Sequence, residues 1–167
     1  WRDEYWHEVL QLIVGMIDSQ KGGEIIEYLM AQDGNRRNKF KNLFLAADCL
    51  SEVRNRYEIK LTDTELLNRF QYLVQCQYEA RLVRDLRTKI VVAVATYWQD
   101  DPDTLALLQE LARSDTDSWV RGKAIEQLAQ GYQDHQDTLP LLQEWARSDK
   151  DCLVRVTAIE QLAQGWH

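Results

Sequence analysis

His7-Glu8 would open the H-E-x-x-H motif of zinc proteases, but the residue that should carry the second imidazole is Gln11. One histidine cannot replace two on a helix face, so the pair reads as part of an amphipathic helix. His135 sits in a turn and His167 at the end of the sequence, and no motif sets a nucleophile or carboxylate around either. Cys49, Cys76 and Cys152 are far apart, each within an apolar helical pattern. Zinc ligands come in close pairs and disulfide frameworks in even numbers. These three therefore read as small buried thiols in a reducing, cytoplasmic compartment. The chain has no G-x-x-x-x-G-K-[ST] loop and no acidic magnesium ligand after a strand, so it should neither bind nor hydrolyse nucleotide. The remaining candidates are Asp115, Asp117, Asp149 and Asp151, which could be paired catalytic carboxylates or calcium ligands. They recur at a fixed offset, and a site is rarely duplicated whole whereas a scaffold contact recurs in every unit. Helix capping, with hydrogen bonds to Arg121 or Arg155 of the neighbouring unit, is the expected role. The chemistry thus points to no enzyme, no catalytic residue, no cofactor and no metal.

The element that positions those aspartates is a repeat. Residues 98–131, WQDDPDTLALLQELARSDTDSWVRGKAIEQLAQG, return at 132–165 as YQDHQDTLPLLQEWARSDKDCLVRVTAIEQLAQG. The offset is 34 residues, and 24 of the 34 positions are identical. Each unit reads as two antiparallel helices. Asp101-Pro102 opens the first, with a good N-cap and a proline at the first helical position. Leu105, Leu108, Leu111 and Ala112 form its apolar stripe. Ser114-Asp115-Thr116-Asp117 is a turn whose last aspartate caps the second helix, lined by Val120, Ala124, Ile125 and Leu128. Gly131 is expected to end it in a left-handed conformation. One hairpin cannot bury its own stripe, so neighbours must stack.

A fainter copy lies upstream, where residues 86–95 keep the register of residues 120–129. Its partner helix would run from Thr62 to about Tyr78, opened by a capping box at Thr62-Asp63-Thr64-Glu65. The organisation predicted is a small helical subdomain over 1–61, then repeats over 62–97, 98–131 and 132–165, with another starting at 166. The fold class is all-α, a right-handed curved solenoid behind a helical subdomain. In the subdomain, Trp6, Val9, Leu10, Ile13 and Ile17 predict a helix ended by Gly22-Gly23. Ile25, Ile26, Leu29 and Met30 predict a second, ended by Asp33-Gly34-Asn35. Phe40, Leu43, Phe44, Ala47 and Leu50 predict a third that is buried from several sides.

Tetratricopeptide repeats share the 34-residue period but want a tryptophan, a glycine and a tyrosine at set places that are missing in this chain. The aspartate-rich turn followed by Val120-Arg121, Ala124 and Leu128, and again by Val154-Arg155, Ala158 and Leu162, instead resembles HEAT repeats. The resemblance covers about residues 84–167, in the short form also found in phycobilisome lyases. Upstream, Trp6-His7-Glu8-Val9-Leu10 and Asn42-Leu43-Phe44-Leu45-Ala46-Ala47-Asp48-Cys49-Leu50 resemble bacterial NACHT-family NTPases of the STAND class. The match is to the helical segment that follows their nucleotide-binding and winged-helix regions and precedes a HEAT array. This resemblance implies the sensor region of a signal-transducing NTPase, with the parent NTPase domain as one partner and a trigger ligand or protein as another. A stand-alone HEAT scaffold and a bilin lyase subunit are the alternatives. The opening Trp1-Arg2-Asp3-Glu4 has neither a methionine nor the apolar core of a signal peptide, and reads as a cut through a longer protein.

Charge narrows the partner. Residues 98–167 hold 6 basic and 13 acidic side chains, a balance that equals the −7 of the whole chain. Such a surface repels phosphate backbones, so nucleic acid is not the expected partner. No apolar run approaches the roughly 18 residues of a membrane span. The run Arg36-Arg37-Asn38-Lys39-Phe40-Lys41 reads as the solvated start of the third helix. The run could also contact an anion, and its cations sit where a helix disfavours them, which hints at a partner such as the NTPase domain of the parent. Trp98, Tyr132 and Trp166 recur at one repeat position and read as packing between units.

Of the ten positions that differ between the repeats, five cluster in the turn and second helix: Thr116/Lys150, Ser118/Cys152, Trp119/Leu153, Gly122/Val156 and Lys123/Thr157. Drift and selection on contacts both remain open, but second helices line the concave face of solenoids, where partners bind. The candidate partner-binding residues are therefore Trp119, Gly122, Lys123, Glu126, Leu153, Val156, Thr157 and Glu160. Val156, Ile159 and Ala163 lie on the far side of the last helix pair, whose Leu141, Leu142 and Trp145 face inward, so self-association through the C-terminal repeat is expected.

Overall fold

The structure is a computed structural model, and it describes residues 5–32, 40–76 and 81–165. The chain forms two compact units, Trp1–Tyr72 and Leu73–His167. Every regular element among the described residues is helical. The first unit holds α1 (Tyr5–Met16), α2 (Ser19–Ala31), α3 (Lys41–Glu52), a 3-10 turn at Arg56–Ile59, and the body of α4 (Lys60–Gln75). The expected helix breakers at 33–35 and the cations Arg36, Arg37 and Lys39 lie outside the described residues.

The third helix is the hub of this unit. α1 and α2 both pack on it. Leu43, Leu45, Ala46, Ala47, Cys49 and Leu50 are all buried, more than one face of the helix, as its apolar circumference requires. Phe44 meets Phe70 of α4 edge to face, with ring centroids 5.4 Å apart. Burial, helped by Asp48 and Glu52, pushes the Cys49 thiol up to about 12, which leaves it a structural hydrophobe and a poor nucleophile.

Two helix boundaries differ from expectation. Gly22 and Gly23 do not end α1. That helix stops at Met16, and Asp18 opens α2 by accepting from the Lys21 amide at 3.0 Å. Both glycines sit buried inside α2, where a Cβ on Gly23 would stand 2.7 Å from Cγ2 of Ile59. Gly23 permits close packing of the 3-10 turn against α2, and Gly22 the approach of Val14 and Val53, 3.3 and 3.6 Å from where its Cβ would be. The capping box at Thr62 does not form either, because the 3-10 turn runs straight into α4 at Lys60. Thr62 Oγ1 donates to Glu27 Oε1 at 2.6 Å, and Asp63 pairs with Arg56 at 2.8 Å. On α1 the expected stripe is not the buried face: Trp6, Val9 and Ile13 face solvent and Leu10 and Ile17 are half-buried, while Val14, outside the stripe, is buried.

The second unit contains α5 (Arg81–Tyr97), α6 (Pro102–Ser114), α7 (Ser118–Gly131), α8 (Thr138–Ser148) and α9 (Cys152–Gly165). α6 with α7 and α8 with α9 form the two predicted hairpins, and α7 packs on both α5 and α9. This is an all-α solenoid. The second helices touch along the row while α6 and α8 hardly meet, so the row bends with the second helices on its inner side. Asp101 caps α6 through the Asp103 amide at 2.9 Å, with Pro102 at the first position. In the next unit Gln136 replaces that proline, and α8 starts later, at Thr138. Thr138 Oγ1 donates to the Tyr132 carbonyl at 2.7 Å instead.

Gly131 does not supply a left-handed residue. No glycine among the described residues has positive φ, and α7 runs through Gly131 to a cap at Tyr132. Its carbonyl accepts from Gln99 Nε2 at 2.8 Å, and Gly165 accepts from Gln133 in the same way.

The two kinds of glycine predict opposite results. Gly23→Ala forces Ile59 aside and should destabilise the fold by about 1–3 kcal/mol. Gly131→Ala meets only ordinary contacts with the Gln99 amide, 3.7 Å away, and should stabilise by about 0.4–1 kcal/mol by restricting the unfolded chain. Urea unfolding midpoints of the two variants check this.

Candidate functional site

The turns between helices carry the aspartates, and their geometry answers what those carboxylates do. Asp115 and Asp149 sit at equivalent positions in successive turns. Asp115 takes both guanidinium nitrogens of Arg87, one at 3.2 Å from Oδ1 and the other on Oδ2. Asp149 takes Nη2 of Arg121 at 3.2 Å. In both cases the arginine belongs to the preceding unit. Each arginine also binds a carbonyl: Arg87 Nε that of Val74 at 2.7 Å, Arg121 Nη1 that of Asp115 at 2.9 Å. Arg121 is only 2% exposed, so its charge must find its partners inside the protein. Arg155 makes the same carbonyl contact, to Asp149 at 2.7 Å, within its own unit. The neighbour contact expected of it belongs to Arg121.

The second aspartate of each turn caps a helix. Asp117 accepts from the Trp119 amide at 2.9 Å, and Asp151 from the Leu153 amide at 2.9 Å. Each also receives a side chain from the preceding unit, Arg84 Nε at 2.6 Å on Asp117 and the Ser118 hydroxyl on Asp151. The four carboxylates are therefore committed to structure. Burial alone would raise the pKa of Asp117, but the Arg84 and Trp119 hydrogen bonds and the nearby Arg84 and Arg87 charges outweigh it and hold the carboxyl below its usual range.

The recurring aromatics also pack between units. Trp98 is buried, and Tyr132 donates its hydroxyl to the Gln99 carbonyl at 2.8 Å. Burial first, then Asp100 and Asp101, pushes the Tyr132 phenol up to about 12. Trp166 lies outside the described residues. Among the described residues, no group of three or more histidine, cysteine and acidic side chains could hold a metal ion, and no helix is long and apolar enough to cross a membrane.

What the repeats present outward is a row of side chains on the second helices. Trp119 is 55% exposed. Lys123 and Glu126 pair with one another, each half-buried. On α9, Leu153 and Thr157 are half-buried, and Glu160 and Val156 exposed. Gly122 stands apart from the other candidates. It is buried in the contact between α7 and α9, where a Cβ would lie 3.5 Å from Thr157 Oγ1. Its counterpart Val156 belongs to that same interhelix face. The row extends onto α5, where Lys89 and Val92 are exposed at the positions of Lys123 and Glu126. Sequence reasoning missed these two, although the alignment of residues 86–95 with 120–129 places them there.

The HEAT-repeat family model matches residues 82–163, the stretch from α5 to the last turns of α9. This segment is an array of HEAT-like repeats, a class that generally serves protein interaction. No curated protein and no solved structure matches the chain.

Asp117 carries a pH signature. Its folded pKa lies below the ordinary 3.8, so the stability it lends is complete above about pH 4 and is lost as pH falls through the lowered folded value. Asp117→Asn keeps the cap acceptor but removes the charge, and should flatten that part of the acid unfolding curve. Asp117→Ala also removes the cap and should lose about 1 kcal/mol at neutral pH. Urea midpoints measured from pH 7 down to the acid limb check both.

Proposed function

We propose that the chain is a non-catalytic interaction region whose inner row of second-helix side chains receives a protein partner or trigger. The observation that supports this most directly is Trp119. It is a large aromatic left more than half exposed at the start of α7, although the aspartate beside it is fixed by two hydrogen bonds. Exposed aromatics on a rigid frame lose little entropy on binding and are the usual energetic centres of interfaces. The second helices also present Lys89, Lys123, Glu126, Leu153, Thr157 and Glu160, all exposed or half-buried, a mixed set suited to a folded protein more than to a polyanion.

The parent we propose is a cytoplasmic NACHT-type signalling NTPase of bacterial kind, with residues 1–61 as the segment that follows its NTPase and winged-helix regions and the repeats beginning at 62. The support is the resemblance of residues 6–10 and 42–50 together with their position ahead of HEAT-like repeats. On this reading the parent NTPase domain is a second partner, and the reading frame that encodes these residues carries a phosphate loop upstream of them.

Two measurements test the reading. A reading frame with no upstream phosphate loop overturns the NACHT parentage. For the surface, a partner captured by the wild-type chain should bind Trp119→Ala at least tenfold more weakly by calorimetry, and Lys123→Ala with Leu153→Ala should weaken it further. A partner whose affinity is unchanged by all three substitutions binds elsewhere, and the surface assignment falls.

A further inference from the structure

We propose that the array bends at one junction, between α7 and α9, about which the hairpin α8–α9 swings while α5 and α7 stay fixed to each other. The two junctions of the second helices use equivalent positions, so they can be compared residue by residue. Between α5 and α7, Arg87 grips both oxygens of Asp115 with its two terminal nitrogens, and the Val74 carbonyl meets its Nε. Arg84 adds a second ion pair, Nε to Asp117 Oδ2 at 2.6 Å. At the other end of these helices Gln99 Nε2 donates to the Gly131 carbonyl, and Tyr132 donates its hydroxyl to the Gln99 carbonyl, both at 2.8 Å. Every donor of the Arg87 fork has a partner, and both turn aspartates are held by charge.

Between α7 and α9 these ties are reduced. Arg121 reaches Asp149 through Nη2 alone, at 3.2 Å, and its buried Nε has no partner among the described residues. Ser118 stands where α5 has Arg84, so a neutral hydroxyl meets Asp151 in place of a guanidinium. Charge-assisted hydrogen bonds are roughly twice as strong as neutral ones. Gln133 still binds the Gly165 carbonyl. Packing thins at the same place. Gly122 lies in this contact with no side chain to offer, where α5 has Thr88 and α9 has Val156. Space does not demand the glycine, because a Cβ there would touch only Thr157 Oγ1, at an ordinary 3.5 Å. A glycine inside a helix loses more backbone entropy on folding than other residues, and no close approach here offsets that loss. Contacts with the fewest ties are the ones that open first. The residues responsible, Ser118, Arg121 and Gly122, all belong to α7, so the contrast holds whatever follows α9. Trp119 stands on the fixed side of the hinge, and Leu153, Thr157 and Glu160 on the moving side. A partner that touches both sides selects one angle, and its binding becomes a change of curvature. That consequence rests on the partner surface proposed above, whereas the hinge itself does not.

Methyl relaxation dispersion on the free chain separates the two junctions. Ile125 is three residues on from Gly122, on the same face of α7, and Val91 holds the equivalent place on α5; both are buried. Hinge motion falls on the microsecond-to-millisecond scale that this measurement reads. Exchange is expected at Ile125 and absent at Val91. Ser118→Arg offers Asp151 the ion pair that Arg84 gives Asp117, and Gly122→Ala fills the contact. Each should lower the exchange contribution at Ile125 at least threefold. No partner is present, so a failed partner surface leaves this result standing, and a rigid junction leaves Trp119 to be tested by itself. Exchange at Ile125 that persists in both variants would show that the last hairpin loosens only by its place in the chain, and overturns the proposal. So does equal exchange at Ile125 and Val91, or exchange at neither.

Discussion

The buried arginine of each second helix sets the terms for the repeat array. A guanidinium at 2% exposure, as Arg121 has, is tolerable only if its donors are met inside the protein, since an unpaired buried charge is worth several kcal/mol of destabilisation. Arg121 meets them at its two terminal nitrogens, Nη1 on the Asp115 carbonyl of its own turn and Nη2 on the Asp149 carboxylate of the next, while its buried Nε has no hydrogen-bond partner among the described residues. Its fork thus measures the distance between two units. A hairpin shifted along the row by one helical turn would break the pair while leaving much of the leucine and alanine packing intact. Apolar contacts supply most of the attraction between hairpins, and the arginine–aspartate rung supplies their register.

The second aspartate of each turn works beside the first. Asp115 Oδ1 accepts the amide of Asp117 at 2.9 Å, and Asp149 that of Asp151 at 2.8 Å. The carboxylate that holds the neighbouring unit therefore also shapes the turn that presents the cap. This coupling explains why all four aspartates are kept in repeats that differ at ten positions. Positions inside the rung are constrained from three directions. Trp119/Leu153 and Lys123/Thr157 are free to vary with whatever they meet.

Periodicity makes the repeat legible in the sequence, because a fixed 34-residue offset reports hairpins, turns and caps at once. Asp101-Pro102, Asp117 and Asp151 can be placed from local chemistry alone. The failures share one cause, that a local signal does not reveal its tertiary partner. Gly22-Gly23 reads as a helix stop, yet Gly22 admits Val14 and Val53 and Gly23 admits Ile59. Thr62-Asp63-Thr64-Glu65 has the letters of a capping box, yet Glu27 and Arg56 take its first two side chains into other contacts. Gly131 sits at the last turn of a helix where a left-handed exit is common, but the Gln99 amide satisfies its carbonyl and Gly131 stays helical, with the cap at Tyr132. Gly122 groups with the exposed positions because it varies, whereas it is buried where α7 meets α9, and its counterpart Val156 is exposed.

The claim that the rung fixes the array is tested most directly by a double-mutant cycle on Arg121→Met and Asp149→Leu, read as unfolding free energy in urea. Asp149→Leu alone strands a buried guanidinium and should lose about 3–5 kcal/mol, while the double variant recovers most of that loss. Losses that simply add in the double variant would mean the two side chains act independently, and the rung could not then be what sets the register of the hairpins.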